Sequence, residues 1–178
     1  MSLDLLVATR SPEQTRAAAT ALAQALRAGD VVSLVGPLGA GKTQFVKGLA
    51  VGLGVPAATA VTSPTFDLCH EYPGRLRLYH LDAYRLASPA ELAAIGFGEL
   101  LDAGGVVAVE WADRVARLIP PEAITIAFGI TPSDARHLHI HPPSDRAAEL
   151  RAALAGHAHG PTDRCPACVA ADRPPRAD

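Results

Sequence analysis

Val31-Val32-Ser33-Leu34-Val35-Gly36-Pro37-Leu38-Gly39-Ala40-Gly41-Lys42-Thr43 is the stretch that decides the fold. Its first five residues are mostly apolar and β-branched, the composition of a buried strand. The next eight fit G-x-x-x-x-G-K-[ST] at every required position, and Gln44 to Leu53 follow with helical spacing. Strand, glycine-rich loop and helix in that order form the context that separates a phosphate-binding loop from a chance match. The glycines let backbone N–H groups turn inward around phosphate oxygens with no Cβ in the way. The helix adds its unsatisfied N–H groups and the positive end of its dipole. Lys42 has the reach for β- and γ-phosphates, and Thr43 offers a hydroxyl to Mg²⁺. A nucleoside triphosphate with magnesium is the expected ligand. Gly36, Leu38, Gly39, Ala40, Gly41, Lys42, Thr43 and Gln44 are the residues expected to hold it.

The 178 residues suit one domain with a proper core, and 49% of them are hydrophobic. Apolar runs are far below membrane-spanning length, and the N-terminus shows no basic, cleavable leader. Three cysteines, two of them near the C-terminus, do not make a disulfide framework, so a cytoplasmic setting is expected. A formal net charge of −2 gives no long-range attraction for nucleic acid. Any connection to RNA would run through a protein partner. The chain contains no asparagine and only two lysines, Lys42 and Lys47. It cannot hold an Asn-Lys-x-Asp guanine reader, which favours ATP over GTP.

Around this centre the chain alternates strands and helices. Leu3 to Ala8 reads as a strand. Ser11-Pro12-Glu13-Gln14 has the grammar of a capped helix start, and the helix is expected to run to about Ala28, with Gly29 as its stop. Residues 57–65, ending Ser63-Pro64-Thr65, form a polar, turn-prone connection, readable either as a plain loop or as a nucleotide-sensing one. Phe66–Tyr72 and Leu76–Asp82 alternate about Pro73-Gly74 as a β-hairpin. Ser88-Pro89-Ala90-Glu91 opens another helix, a second helical piece spans Glu99 to Ala103, and Val106–Val109 is a strand buried on both faces. A short helix over Asp113 to Leu118, strands at Ala123–Ile130 and Arg136–His141, and a helix from Ser144 to about Leu154 complete a domain of residues 1–155. Residues 156–178 are expected to form a mobile tail. The alternative there is a zinc site of His157, His159, Cys165 and Cys168, disfavoured by the few apolar residues around it.

A magnesium ion on ATP needs acids at the ends of strands beside the loop's strand. Val106 to Val109 followed by Glu110 has that form, and Asp82 ends a second strand, so both are candidate metal ligands. Trp111 follows Glu110 where many such ATPases carry a second acid, which leaves the water-activating group open. Trp111 reads as core packing or as a wall of the phosphate site. His70, His80, His137, His139 and His141 read as strand-face residues rather than ligands.

The ordered set Gly36-Pro37-Leu38-Gly39-Ala40-Gly41-Lys42-Thr43, Ser63-Pro64-Thr65, Tyr79-His80-Leu81-Asp82-Ala83-Tyr84-Arg85 and Val109-Glu110-Trp111 resembles the motif set of the TsaE family. The resemblance runs from about residue 5 to residue 141. It implies a three-layer α/β P-loop fold with a mixed central sheet flanked by helices. It further implies slow Mg²⁺-dependent ATP hydrolysis in bacterial tRNA threonylcarbamoyladenosine (t6A) biosynthesis, in concert with TsaD and TsaB, which transfer the threonylcarbamoyl group. Carried over by position, Lys42 and Thr43 serve the phosphates and the metal. Asp82 and Glu110 serve metal and hydrolysis, and Ser63-Pro64-Thr65 is a switch-like loop whose Thr65 joins the catalytic set. Ser11 and Arg136 lie near the nucleotide. The segment after residue 155 matches nothing in that family's core. Two other readings share the loop: a small-molecule or nucleotide kinase, and a nucleotide-dependent binding module without turnover. Against the kinase, only Arg75 and Arg77 cluster as a lid would require.

Overall fold

The computed structural model describes residues 4–64, 67–86, 90–91 and 96–157. The elements in chain order are β1 (Leu5–Thr9), α1 (Pro12–Ala23), β2 (Val31–Val35), α2 (Lys42–Gly52), β3 (Cys69–Tyr72), β4 (Leu78–Asp82) and a 3₁₀ turn (Ala83–Arg85). They continue with α3 (Phe97–Asp102), β5 (Val106–Glu110), a 3₁₀ segment (Ala112–Leu118), β6 (Ile124–Ile130), β7 (Arg136–His141) and α4 (Ala147–Ala153). The strands form one mixed sheet in the order β1-β7-β6-β2-β5-β4-β3. Its centre, β6-β2-β5-β4, is parallel, while β3, β7 and β1 pair antiparallel. Among the described residues, no helix is long and apolar enough to cross a membrane.

The period of two along the central strands sorts the core into two layers. Val32 and Leu34 of β2, with Val106 and Ala108 of β5, face α1, α2 and α4, where Leu22, Phe45, Leu49 and Leu150 meet them. Val31, Val107 and Val109 face the other way, against Leu86, Phe97 and Val115. Phe45 of α2 sets its ring edge-on to Phe128 of β6 at 5.7 Å, which fastens the helix after the loop to the sheet. Such a pair contributes about 0.5–1.5 kcal/mol beyond its buried area.

α1 and α2 lie close because α2 carries glycine at two positions one turn apart. A Cβ on Gly48 would meet the Arg16 carbonyl oxygen at 2.3 Å, and one on Gly52 would meet the Ala23 Cβ at 2.5 Å. The gap is filled by hydrogen bonds from the Thr20 hydroxyl to Gly48 O (3.0 Å) and from Gln24 Nε2 to Gly52 O (3.1 Å). Gly48→Leu is therefore expected to cost about 3 kcal/mol by overpacking. That corresponds to a drop in Tm of roughly 6–12 °C for a chain of this size. Gly98→Ala, in α3 with nothing within 4 Å of the added methyl, is the control. It is expected to leave Tm unchanged or slightly raised. Thermal melts followed by circular dichroism read both, and equal Tm values would refute the packing argument.

Two helix boundaries differ from the sequence expectation for one reason. α1 ends at Ala23 rather than near Ala28, and its last turn tightens into i→i−3 bonds from Gln24, Ala25 and Leu26. The carbonyls of Ala23 and Ala25 are taken by guanidinium groups from far along the chain, those of Arg75 and Arg146. α4 begins at Ala147, and Ser144 does not cap it. Arg146, at its start, is drawn into partly buried pairs with Asp30 (2.8 Å) and Glu149 (3.0 Å) instead. The expected helix over Asp113–Leu118 is 3₁₀ and breaks at Val115. The expected helix from Ser88 falls mostly outside the described residues, as do Thr65, His159, Cys165 and Cys168.

Candidate functional site

Register brings the expected residues to one place. At the carboxyl ends of the parallel strands, Leu34 of β2 pairs with Glu110 of β5, and Glu110 pairs with Asp82 of β4. In open α/β sheets this edge is where ligands bind. The loop from Gly36 to Gly41 leaves β2 there and hands over to α2. Gly36 has φ +142°, and a Cβ on it would stand 2.6 Å from the Phe128 carbonyl oxygen, so the loop can pass against β6 only with glycine at that position. Gly39 and Gly41 also have positive φ, Ala40 is buried, and Leu38 stands out at the tip.

α2 starts at Lys42 with Gly41 as its N-cap and no side-chain capping bond. No backbone acceptor for the N–H groups of Gly41, Lys42, Thr43 and Gln44 is found among the described residues. Unsatisfied N–H groups at the start of an 11-residue helix are a ready anion site. Lys42 is only 4% exposed. Its Nζ donates to the carbonyls of Gly36 (2.7 Å) and Pro37 (2.9 Å) and lies 3.7 Å from the centre of the Trp111 ring. Burial pushes the Lys42 ammonium below the usual lysine range, while Glu110, Asp113 and Asp82 act to keep it protonated. Asp113, near enough to be felt there, was not singled out in the sequence.

The Thr43 hydroxyl donates to Glu110 Oε2 at 3.0 Å, which joins the loop helix to the end of β5. The second Glu110 oxygen accepts from His80 Nε2 at 2.8 Å. Asp82 accepts from the Ser63 hydroxyl (2.5 Å) and from the Tyr84 N–H (2.9 Å), so it ties the loop before β3 to the 3₁₀ turn after β4. Trp111 has φ +58°, an uncommon conformation for a bulky side chain. That left-handed turn lays the indole over Lys42, with Tyr84 packed against it at 4.9 Å and the Arg114 guanidinium over the Tyr84 ring at 5.1 Å.

Other expected residues lie on neighbouring elements. Ser11 caps α1 by accepting from the Gln14 N–H, while the Gln14 side chain accepts from the backbone N–H of Arg10, one residue before the cap, rather than from that of Ser11. Arg136 pairs with Asp134 and lies in register with Thr9, on the same sheet edge as the loop. Gln44 accepts from Arg16. His80, read from the sequence as an ordinary strand-face histidine, is set against Glu110 by the structure. The signal was present: His80 and Asp82 are two apart on one strand and so share its face.

The donor set fits a magnesium ion. Thr43, Asp82 and Glu110 offer hard oxygens, and two buried acids on paired strand ends repel unless a cation lies between them. Among the described residues, no group of three or more His, Cys, Asp and Glu could hold a metal by itself. A magnesium ion here would complete its octahedron with phosphate and water oxygens.

A mixed sheet flanked by helices, with a glycine loop, a buried lysine, a hydroxyl and two acids at the ends of its parallel strands, defines an α/β protein built on a strand–loop–helix unit. A family model described as threonylcarbamoyl adenosine biosynthesis protein TsaE matches residues 9–138. Two relatives carry the name tRNA threonylcarbamoyladenosine biosynthesis protein TsaE. The one from Treponema pallidum is 43% identical over 74% of this chain and 96% of its own. The one from Bacillus subtilis is 41% identical over 73% of this chain and 80% of its own. The crystal structure of Bacillus subtilis YdiB superposes with a TM-score of 0.73 at 35% identity, covering 86% of this chain and 95% of that one. The chain belongs to the TsaE family.

Proposed function

We propose that this protein binds ATP with magnesium at the Gly36–Thr43 loop and hydrolyses it in the service of tRNA threonylcarbamoyladenosine biosynthesis, acting with TsaD and TsaB. The reading is carried by the junction of Thr43 with Glu110 at the start of a helix whose first N–H groups have no backbone acceptor among the described residues. Phosphates would take those N–H groups. Lys42, already held at the loop by two carbonyls, would exchange them for phosphate oxygens. Thr43, Glu110 and Asp82 would hold the metal, whose chemistry is to neutralise charge on the β- and γ-phosphate oxygens. ATP is favoured over GTP by the missing guanine-reading segment, and tRNA is reached only through the protein partners.

The chain alone is expected to be a slow ATPase. The site has cations for the phosphates, but the sequence motifs include no separate arginine finger for the γ-phosphate. Supplying such a group is worth about 10³–10⁵ in rate in related systems. The experiment is ADP formation by the purified chain with ATP and magnesium, alone and with TsaD and TsaB. The expected result is slow turnover without any added acceptor and a large stimulation by the pair. Turnover of tens per second alone (a fast rate for this class) with no effect of the partners would overturn the assisted-site reading. ADP formed only on adding a phosphoryl acceptor would indicate a kinase.

A further inference from the structure

His80 lies on the face of β4 that looks toward α2, in register with Ala108 of β5, and is fully buried. A carboxylate only accepts, so His80 carries its proton on Nε2 and donates it to Glu110 Oε1 at 2.8 Å. Its Nδ1 is buried with no hydrogen-bond partner among the described residues. As a packing residue this is a poor choice, since an apolar side chain would fill the same place without stranding a nitrogen. The contact with Glu110 is what the imidazole adds. Glu110 is itself 3% exposed, and its two oxygens divide between His80 on one side and the Thr43 hydroxyl on the other. Without His80, the carboxylate would be free to turn about its terminal torsion, which has broad wells. With it, the oxygen facing Thr43 is fixed.

We propose that His80 is a positioning residue that locks the Glu110 carboxylate against Thr43, so that the oxygens meant for the cation are in place before nucleotide arrives. This rests on the ATP–magnesium reading above. Partners of this kind behind a metal-binding side chain typically change metal affinity by roughly 10- to 100-fold. Gln at position 80 would present an amide N–H near the place of Nε2. Asn, one carbon shorter, would leave its amide near Nδ1, and Leu would offer no donor.

Trp111 is the only tryptophan and lies against Lys42, so its emission reports on the loop. The test titrates magnesium into each full-length variant mixed with a non-hydrolysable ATP analogue and follows that emission. The magnesium midpoint is expected to rise by roughly 10- to 100-fold in His80→Leu and His80→Asn and to stay near the wild-type value in His80→Gln. Affinity for the analogue without magnesium is expected to be equal in all four proteins. If His80→Leu does not fold, the Asn and Gln variants decide the matter by themselves. Equal midpoints throughout, or a Gln variant as impaired as the Asn variant, would overturn the positioning role while leaving the nucleotide reading intact. A wild-type protein whose emission ignores both analogue and magnesium would overturn the nucleotide reading, and the role of His80 with it.

Discussion

Lys42→Ala is expected to weaken ATP binding by about 10²-fold and to abolish hydrolysis. The ammonium is the only cation among the loop residues, and the fold has already borne the cost of burying it. It sits 4% exposed, donates to two loop carbonyls and rests on the Trp111 ring before any ligand is bound. Alanine removes a charge-assisted contact to phosphate, worth roughly 1.5–3 kcal/mol, or about 10–150-fold in affinity. It also takes the ammonium away from Gly36 O and from Pro37 O, which keeps only the Ala40 N–H, and so loosens the loop that the phosphates must enter. Hydrolysis suffers more than binding, because charge on the γ-phosphate grows toward the transition state. Calorimetric titration with ATP and magnesium measures the first effect, and ADP formation in the presence of TsaD and TsaB measures the second. An alanine variant with wild-type affinity would remove the loop from the binding site.

Glu110→Gln should separate the two properties that Lys42→Ala damages together. Hydrolysis is expected to fall by about 10²-fold or more, with or without partners, while ATP affinity in the absence of magnesium is unchanged. Glutamine keeps the volume of a buried side chain and one acceptor oxygen, so packing at the end of β5 is preserved. What it loses is the negative charge beside Thr43 and one of the two oxygens that now accept from Thr43 and His80. The charge matters for stability in the opposite sense. Asp82 and Glu110 are register partners at strand ends, both buried, and removing one acid relieves their repulsion. Against that gain, the amide NH2 faces one of those two donors and the buried Lys42 ammonium loses an opposing charge, so the variant is expected to melt near or below wild type while its turnover falls. A variant that binds poorly without magnesium would show that Glu110 serves the fold of the loop rather than the metal. Unimpaired hydrolysis would move the catalytic acid elsewhere, with Asp113 the next to test because its charge reaches Lys42.

The sequence by itself determined the features encoded within about a dozen residues. The apolar run of β2, the glycine spacing of the loop and the helical period after it specify β2, loop and α2 wherever the rest of the chain goes. Ser11, Pro12 and Gln14 specify the start of α1, and the alternation of residues 136–141 specifies β7, each through contacts no more than a few residues apart. The ordered motifs identified the family and, through it, the mixed sheet. Only the tertiary structure decided what depends on pairing over long separations. α1 stops at Ala23, where the guanidinium groups of Arg75 and Arg146 bind the carbonyls of Ala23 and, two residues on, Ala25, and no local pattern announces a donor 52 or 121 residues away. His80 looked like one alternating residue among several until the register of β4 on β5 set it beside Glu110, and the register of β5 on β2 set Glu110 beside Thr43. Hydrogen bonds of under 3.5 Å are decided by strand register and helix packing, quantities that belong to the whole sheet. The chain's local chemistry names the groups of the site, and the parallel pairing of β4, β5 and β2 decides which of them touch.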